Sequence, residues 1–276
     1  MQKIPFYKMS GSGNDFILVD NRDGIVDDTY LKQLVVGACR RRMSAGADGL
    51  LLVEKSSRAD FKWRFYNADG SRAEMCGNGA RCASRYAYLT GITGPELSFE
   101  TDVGVVTAEV IDERVKIGMT DPTDLKENRT LLLGETDLAY AFINTGVPHV
   151  VTITDDIEGI DVVEMGRALR HHKTFSPAGT NVNFVEIIGD NTIAVRTYER
   201  GVEDETLACG TGCVAASLVM CLKHQWVSPV NVKTRSKVML RVHFTFAGGL
   251  FSQIYLEGDA RVIYHGTLWE EAWRGV

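Results

Sequence analysis

The stretch ETLACGTGCVAASLVMC, residues 205–221, decides the expected fold because the chain contains a second version of it. That version is RAEMCGNGARCASRYAY, residues 72–88. Each places a cysteine, Cys209 or Cys76, directly before Gly-x-Gly and then continues with small and helix-forming residues. The pattern predicts a helix that begins just after each cysteine, the first from about Gly77 to Leu89.

The segments around the two cysteine helices also follow one order. Periodicity and turn signals predict strand, strand, helix, strand, strand, polar loop, cysteine helix and further strands in each half. The tripeptides Arg64-Phe65-Tyr66 and Arg196-Thr197-Tyr198 precede their cysteines by distances that differ by one residue. A break in the pattern at TDPTD, near Pro122, indicates a domain boundary. The chain is therefore predicted to be a two-domain α+β protein with an internal duplication.

The composition is that of an ordinary globular protein, with 276 residues of which 45% are hydrophobic and 24% charged. A net charge of −6 and a pI near 5.6 provide no basic surface for a nucleic acid or an anionic membrane. The sequence begins without the apolar segment of a signal peptide, and no window reaches the length of a membrane span. We therefore expect a cytoplasmic protein that acts on a small molecule, with its six cysteines reduced.

A cysteine at a helix N-terminus lies beside backbone N–H groups that lack partners within the helix. The positive end of the helix dipole stabilises its thiolate, and the glycines that follow let a carboxylate or phosphate approach the same N–H groups. The pseudo-repeat could bring two such sites together across a cleft. Two opposed thiols suit a reaction in which one face of a carbon atom loses a proton while the other face gains one. This chemistry is racemisation or epimerisation, with one cysteine as thiolate and the other as thiol.

Other uses of the cysteines fit the spacing less well. Neither Cys-x5-Cys nor Cys-x3-Cys repeats the pairs of a structural zinc site, so no metal is expected at Cys76, Cys82, Cys209, Cys213 and His149. No Cys-x-x-Cys indicates a thioredoxin-like site, and GSGND, residues 11–15, lacks the features of a nucleotide-binding loop. Packing in the core is the expected role of the remaining cysteines: Cys39, Cys82, Cys213 and Cys221.

Together the motifs resemble the diaminopimelate epimerase family, whose members interconvert LL- and meso-2,6-diaminopimelate without a cofactor in lysine and peptidoglycan precursor synthesis. The resemblance covers nearly the whole chain, from GSGNDF through NADGS, MCGNGARC, PH, TNVNF and ERGVEDETLACGTG to the C-terminal strands. It implies a homodimer of chains with two α+β domains, each a mostly antiparallel sheet or barrel around a central helix. The C-terminal segment returns to the first domain, which gives domains 1–121 plus 262–276, with Cys76, and 122–261, with Cys209.

The resemblance also implies roles for individual residues. Cys76 and Cys209 match the two catalytic acid–base residues, and His149 and Glu199 match groups that tune the protonation of these thiols. The two helix starts would hold the reacting α-carboxylate, and an arginine with an asparagine would hold the distal carboxylate. The matching substrate-binding positions are Asn14, Asn67, Gly77, Asn78, Asn181, Glu199, Arg200, Gly210 and Thr211.

Chemistry alone allows simpler interpretations of several residues. His149 could be a core histidine with satisfied hydrogen bonds, Asn67 a turn residue, and Glu199-Arg200 a surface ion pair.

The sequence also departs from the family at two positions. Gly49 stands where Gln is common, and Val147 stands where a substrate-binding Asn is common. Asn144 or water is expected to replace the missing Asn.

Two alternative functions stay open. The nearest is a proline or hydroxyproline racemase or epimerase on the same scaffold, although Arg200 and CGNGARC favour diaminopimelate. The other, from a different class, is a non-enzymatic thiol protein that binds metal or senses redox state.

Overall fold

The computed structural model describes residues 2–274, which form two compact units. Unit 1 contains the described residues up to Ile117 together with those from Gly258 onward, and unit 2 runs from Gly118 to Glu257. Four α-helices and 18 strands are present among the described residues. None of the described helices is long and apolar enough to cross a membrane.

Unit 1 is built from one sheet and two helices. The helices are α1 (Asp28–Cys39) and α2 (Gly77–Leu89). The strands, numbered in chain order, are β1 (Lys3–Gly11), β2 (Asn14–Asp20), β3 (Gly49–Glu54), β4 (Phe61–Asn67), β5 (Arg72–Ala73), β6 (Glu96–Thr101), β7 (Gly104–Ile111), β8 (Arg114–Gly118) and β18 (Arg261–Trp269). A short 3-10 helix (Glu270–Ala272) follows β18.

Unit 2 is built in the same way. Its helices are α3 (Val162–Arg170) and α4 (Gly210–His224), and a short 3-10 helix (Lys173–Phe175) follows α3. Its strands are β9 (Thr123–Leu133), β10 (Thr136–Asn144), β11 (Pro148–Ile153), β12 (Asn181–Gly189), β13 (Thr192–Glu199), β14 (Asp204–Thr206), β15 (Val230–Lys233), β16 (Met239–Ala247) and β17 (Leu250–Asp259).

The two units share one strand topology. The order in unit 1 is β18-β1-β2-β3-β4-β6-β7-β8, with β5 paired to β4. The order in unit 2 is β9-β10-β11-β12-β13-β15-β16-β17, with β14 paired to β13. Two pairs in each unit are parallel, β2–β3 and β4–β6 or β11–β12 and β13–β15, and the others are antiparallel. The predicted α+β duplication is confirmed, with open sheets rather than closed barrels over the described residues.

The cysteine helices are the central helices of their units. The residues of α4 from Gly212 to Cys221 are all buried, and the helix contacts β10 to β13, β15 and β16. The helix α2 contacts β1, β2, β3 and β7. A helix buried on all sides needs small or apolar residues around its whole circumference, which is the composition of CVAASLVMC.

Several elements agree closely with the pattern of the sequence, but β9 was not predicted. The amphipathic stretch DTYLKQLVVGAC coincides with α1, and Asp161 caps α3 by accepting a hydrogen bond from the Glu164 N–H at 2.9 Å. The first eight residues of β9 are exposed, and two of them, Asp124 and Asn128, have positive φ. A strand with no buried alternation gives no period-two signal, so the sequence pattern does not show it.

The described part of the C-terminal segment packs against α1. Trp273 is buried, and its ring stacks on Tyr30 with 5.1 Å between the ring centroids. A Cβ atom at Gly37 would lie 2.6 Å from both the Cα and the carbonyl oxygen of Trp273. The glycine therefore allows the segment to approach the helix.

We expect Gly37→Ala to destabilise the protein by about 1–3 kcal/mol, because the added methyl group must displace the backbone of Trp273. Gly94→Ala is the matched control, since nothing lies within 4 Å of a Cβ at that position. Urea unfolding followed by tryptophan fluorescence measures both variants. Equal free energies of unfolding for the two would contradict the prediction.

Candidate active site

Cys76 is the N-cap residue of α2. Its backbone is extended, with φ −150° and ψ 116°, and its carbonyl accepts a hydrogen bond from the Ala80 N–H at 2.8 Å. The residue is half-buried, and a Cβ at the neighbouring Gly77 would meet no atom within 4 Å. The first-turn N–H groups of a helix have no partners inside it, so this open helix start can bind an anion.

Cys209 takes the same position at the start of α4. Its backbone is also extended, with φ −111° and ψ 110°, and its carbonyl accepts from the Cys213 N–H at 2.9 Å. The residue is only 8% exposed, and its Sγ lies 3.5 Å from the Thr211 hydroxyl. The two predicted helix starts therefore have equivalent geometry, but their cysteines differ in burial.

Burial controls the protonation of Cys209. It raises the pKa of the thiol to about 12, and the negative charge of Glu199 adds to the rise. Hydrogen bonds from Thr211 and from the Gly212 N–H act in the opposite direction. A helix dipole favours a thiolate by only about 1 kcal/mol, so burial is the larger effect. In the free protein Cys209 is a thiol at neutral pH, which differs from the expectation that the helix start stabilises its thiolate.

Glu199 lies at the end of β13, next to the Cys209 thiol. Burial raises the pKa of its carboxyl group, and the nearby Thr206 hydroxyl and Cys209 thiol act in the opposite direction. An ionised carboxylate only accepts hydrogen bonds, so it orients the proton of the Cys209 thiol toward itself. The structure thus brings together one predicted catalytic thiol and one predicted tuning group.

His149 is fully buried in β11. Its pKa falls to about 3 because burial, and secondarily the positive charge of Arg200, disfavour the imidazolium. Its Nδ1 lies 3.1 Å from the side-chain nitrogen of Asn183, whereas its Nε2 has no hydrogen-bond partner among residues 2–274. The ring is buried and neutral like that of a core histidine, but one of its nitrogens is not satisfied.

Asn181 and Arg200, predicted to bind the distal carboxylate, lie next to each other. The amide oxygen of Asn181 accepts from the Arg200 backbone N–H at 2.8 Å, and its amide nitrogen donates to the carbonyl of Pro148 at 2.9 Å. The Arg200 side chain donates to the carbonyl of Ala178 at 3.2 Å. Asn181 therefore holds the backbone from which the guanidinium projects.

In unit 1, a series of hydrogen bonds between side chains connects the start of α2 to the loop before β3. Buried Arg81 donates to the amide oxygen of Asn78 at 2.7 Å, and the Asn78 nitrogen donates to the oxygen of Asn14 at 2.7 Å. The Asn14 nitrogen donates to the carboxylate of Asp48 at 3.0 Å. Each of the two amides accepts a hydrogen bond at its oxygen and donates one from its nitrogen, so the orientation of both asparagine side chains is fixed.

Asp15 anchors the same loop. Its carboxylate lies 2.7 Å from the Lys8 Nζ and 2.6 Å from the Arg41 guanidinium, and it accepts from the Asp48 N–H at 3.0 Å. Burial opposes ionisation, but Arg41 and Lys8 together hold the pKa of Asp15 well below its usual range. The loop that carries Asp48 is therefore held by a carboxylate that stays charged at neutral pH.

Asn67 has the geometry of a turn residue. It is exposed, its side chain donates to the Ser71 hydroxyl at 3.0 Å, and its carbonyl accepts from the Gly70 N–H at 2.9 Å. These contacts agree with the simpler interpretation from NADGS. A role in substrate binding stays a prediction.

Of the two positions that depart from the family pattern, Gly49 has a local explanation. A Cβ at Gly49 would lie 2.7 Å from both the Phe65 ring and the Tyr66 carbonyl, so a longer side chain does not fit there. Asn144 is half-buried, and its amide oxygen accepts from the Gly146 N–H at 3.0 Å. The replacement of the missing Asn by Asn144 stays a prediction.

The other four cysteines are buried, as expected for packing residues: Cys39, Cys82, Cys213 and Cys221. All six cysteines are free thiols. Over residues 2–274, no group of three or more His, Cys, Asp and Glu side chains is arranged to hold a metal ion.

Two buried polar residues that hold predicted site residues, Arg81 and Asn183, were missed by the sequence reasoning. Each gave a signal that could have been read. Arg81 stands alone among small residues in CGNGARCAS, on a helix whose surrounding positions are buried. Asn183 shares the period-two face of Asn181 in the strand TNVNF, where a polar residue is unexpected in a buried strand.

The fold defines a class of duplicated α+β proteins that are known from solved structures. A phenazine biosynthesis protein of the PhzF family from Bacillus anthracis matches with a TM-score of 0.72 at 15% identity, covering 98% of this chain and all of that one. A hydroxyproline epimerase from Agrobacterium vitis, solved with trans-4-hydroxy-L-proline, matches with a TM-score of 0.64 at 16% identity, covering 98% and 93%. At these identities the likeness shows the fold alone.

Sequence comparison is more specific. The family model described as diaminopimelate epimerase matches residues 6–125 and again 141–260, once in each half. A diaminopimelate epimerase from Aquifex aeolicus is 45% identical, covering 97% of this chain and 99% of its own length. One from Chlorobaculum tepidum is 44% identical, covering 94% and 99%. The chain belongs to the diaminopimelate epimerase family and is an isomerase.

We expect Glu199→Gln to speed alkylation of Cys209 at pH 8. Removing the carboxylate charge lowers the thiol pKa, which increases the thiolate fraction at a given pH. The alkylation rate should rise by up to about tenfold if the pKa of the Cys209 thiol falls by one unit. The measurement is the iodoacetamide reaction rate of the Cys209 peptide by mass spectrometry, with exposed Glu127→Gln as the control. A rate equal to or below that of the wild type would show that Glu199 does not suppress the thiolate.

Proposed function

We propose that this protein is an epimerase that interconverts LL- and meso-2,6-diaminopimelate without a cofactor, with Cys76 and Cys209 as the two acid–base residues. The observation that carries the proposal is the repeated N-cap cysteine in a chain 45% identical to a diaminopimelate epimerase over nearly its whole length. In one direction a thiolate removes the α-proton from one face of the carbon while a thiol donates to the other. In the reverse direction the two cysteines exchange roles.

The two helix starts support a role in holding the reacting α-carboxylate. Each cysteine is followed by a glycine, Gly77 or Gly210, and then by a polar residue, Asn78 or Thr211. Backbone N–H groups at a helix start stabilise negative charge, and charge develops on this carboxylate as the α-proton leaves. Asn78 is held by Arg81 and contacts Asn14, so these two asparagines form a fixed polar surface beside Cys76.

The distal end of the substrate must be bound so that only one of its two stereocentres reacts. We propose that Arg200 pairs with the distal carboxylate, because a guanidinium can bind a carboxylate through two parallel hydrogen bonds. Asn181 fixes the backbone of Arg200 through its amide oxygen, and its remaining hydrogen-bonding capacity can also reach the substrate. Asn67 and Glu199 complete the proposed set, with Glu199 able to accept from the substrate ammonium group.

The protonation states follow from the environment of each thiol. Cys209 is a thiol in the free protein, with its proton directed toward Glu199. It can therefore act as the acid when Cys76 acts as the base, and the reverse reaction needs the opposite assignment. His149 is neutral, so it can donate a hydrogen bond without adding a full positive charge.

The proposal extends to the setting of the enzyme. Its product would feed lysine and peptidoglycan precursor synthesis, and we propose a homodimer in the cytoplasm. Six free cysteines support a reducing compartment. Proline and hydroxyproline are less favoured substrates, since the solved relatives with those names match at only 16% identity.

We expect purified wild-type protein in deuterated buffer, without added cofactor, to place deuterium at the α-carbon of LL-diaminopimelate and to form the meso isomer. Cys76→Ala and Cys209→Ala should each reduce turnover by at least about 100-fold, since each removes one acid–base partner. Cys221→Ala, which replaces a buried cysteine outside the site, is the control. The readout is NMR of the α-proton and of the two isomers.

Near-normal turnover in either variant of a catalytic cysteine would exclude the two-base mechanism. Absence of exchange by the wild type under reducing conditions would exclude the substrate. In that case, exchange of proline or hydroxyproline in the same experiment would identify the alternative racemase activity.

We expect Asn144→Ala to raise the KM for diaminopimelate while the protein stays folded. The change removes an amide nitrogen that we propose contacts the substrate. Much of the family has an Asn at the position of Val147, and we propose that Asn144 replaces its contact. The loss of one hydrogen bond to a charged group should raise the KM by roughly 10-fold to 100-fold. Steady-state kinetics measures the effect, and full activity in the variant would rule out this role for Asn144.

A further inference from the structure

Three buried polar side chains lie beneath the first turn of α4. They are His149, Asn183 and Thr197, and each is at most 3% exposed. We call them the polar triad. Asn183 contacts the other two, with its nitrogen 3.1 Å from the His149 Nδ1 and its oxygen accepting from the Thr197 hydroxyl at 3.0 Å.

The equivalent positions of unit 1 are apolar. In unit 2, Asn183 pairs with Thr197 in the sheet, and His149 pairs with Asn181. In unit 1, the same register pairs Leu51 with Phe65, and Phe16 with Gly49. Phe16, Leu51 and Phe65 therefore occupy the positions of His149, Asn183 and Thr197, and all three are buried.

This internal comparison shows that the fold does not require polar residues at these positions. Burying a polar side chain is unfavourable unless its hydrogen bonds are satisfied, and an unsatisfied buried group costs about 1–3 kcal/mol. The His149 Nε2 is such a group among the described residues. The polar triad is therefore less favourable for folding than the apolar packing that unit 1 has at the equivalent positions.

The hydrogen bonds of Asn183 determine where the proton of His149 lies. The Asn183 nitrogen also donates to the carbonyl of Val150 at 2.9 Å, and a carbonyl can only accept. Together with the Thr197 hydroxyl on the oxygen, this contact fixes the orientation of the amide. The nitrogen therefore donates to the His149 Nδ1, which must be unprotonated, and the ring proton is on Nε2.

Asn183 is also in close contact with the cysteine helix. A Cβ at Gly212 would lie 2.3 Å from the Asn183 oxygen and 3.3 Å from the Cys209 sulfur. At the equivalent Gly79 of unit 1, the nearest atoms are carbons of Leu51, Phe16 and Trp63 at 3.6 Å. The amide of Asn183 is therefore held between the imidazole and the turn that carries Cys209.

We propose that Asn183, oriented by Thr197, is a positioning residue that fixes His149 as the neutral tautomer with its proton on Nε2. The imidazole then donates a hydrogen bond to an anionic group of the reacting complex, either a thiolate or the substrate carboxylate, and does not accept one. The consequence for turnover rests on the proposed epimerase function, whereas the tautomer is a property of the free protein.

The direct test is long-range proton–nitrogen NMR of protein labelled with 15N-histidine, in which His149→Gln identifies the signals of His149. The wild type between pH 6 and 8 should show a protonated Nε2 and an unprotonated Nδ1. Asn183→Asp replaces the donor with an acceptor of the same shape, so Nδ1 should become protonated. A protonated Nδ1 in the wild type would overturn the proposal.

Kinetics tests the consequence for the reaction. Asn183→Asp should lower kcat by about 100-fold, the lower limit for acid–base catalysis, with KM changed less than about threefold. Asn191→Asp is the matched control, because the Asn191 side-chain nitrogen also donates two hydrogen bonds, both to backbone carbonyls, but lies in a turn away from His149. Thr197→Val should give a smaller loss of kcat, and Thr152→Val, which removes another buried hydroxyl of unit 2, should give none.

The two readouts separate the two proposals. The predicted tautomer in a wild-type protein that fails to epimerise diaminopimelate would remove the proposed function and retain the positioning role. Epimerisation by a wild-type protein with Nδ1 protonated would retain the proposed function and remove the positioning role. An unchanged kcat in folded Asn183→Asp with a switched tautomer would show that the position of the proton does not matter for turnover, which would also overturn the inference.

Discussion

The close contact between the first turn of each cysteine helix and the strands beneath it is the constraint on which the site depends. Parallel strands cannot be joined by a tight turn, so the pairs β4–β6 and β13–β15 require a crossover. In both units the crossover contains the central helix. The third residue of each helix is a glycine, and at Gly212 a Cβ would overlap the oxygen of Asn183. This approach sets the position of the extended residue just before the helix, which is the cysteine.

The duplication preserves this backbone arrangement but changes the chemistry around it. Phe16, Leu51 and Phe65 of unit 1 are aromatic and aliphatic, whereas the equivalent residues of unit 2, near the start of α4, carry an imidazole, an amide and a hydroxyl. The polar contacts of unit 1 lie instead at the side of the helix start, where Arg81 and Asn14 hold Asn78. Two thiols in different surroundings differ in their preference for the charged form. In the proposed two-base reaction one thiol is charged while the other is not, and the two exchange these states when the direction of the reaction reverses.

The sequence predicts most of the scaffold because the scaffold has a periodic signal. The helices α1 and α2, the cap at Asp161 and the equivalence of the two halves all follow from apolar spacing and capping residues. The strand β9 does not, because its first eight residues are exposed. Among the candidate site residues, the two cysteines are visible from repetition. The sequence shows Arg81 and Asn183 only as polar residues in buried segments. Their contacts with segments distant in sequence, such as that of Arg81 with Ser12 and that of Asn183 with His149, are not contained in any local pattern.

The energetics of Cys209 indicate when its thiolate can form. A rise in its pKa from 9.0 to about 12 corresponds to about 4 kcal/mol against the thiolate. The helix dipole stabilises the thiolate by only about 1 kcal/mol. An ammonium group about 4 Å from the sulfur contributes about 4 kcal/mol at an effective dielectric constant of 20. An amino-acid substrate carries such a group next to its α-carbon, so its binding can offset most of the effect of burial. In the proposed mechanism, the Cys209 thiol is therefore protonated in the free protein, and the substrate ammonium group favours the thiolate that acts as the base.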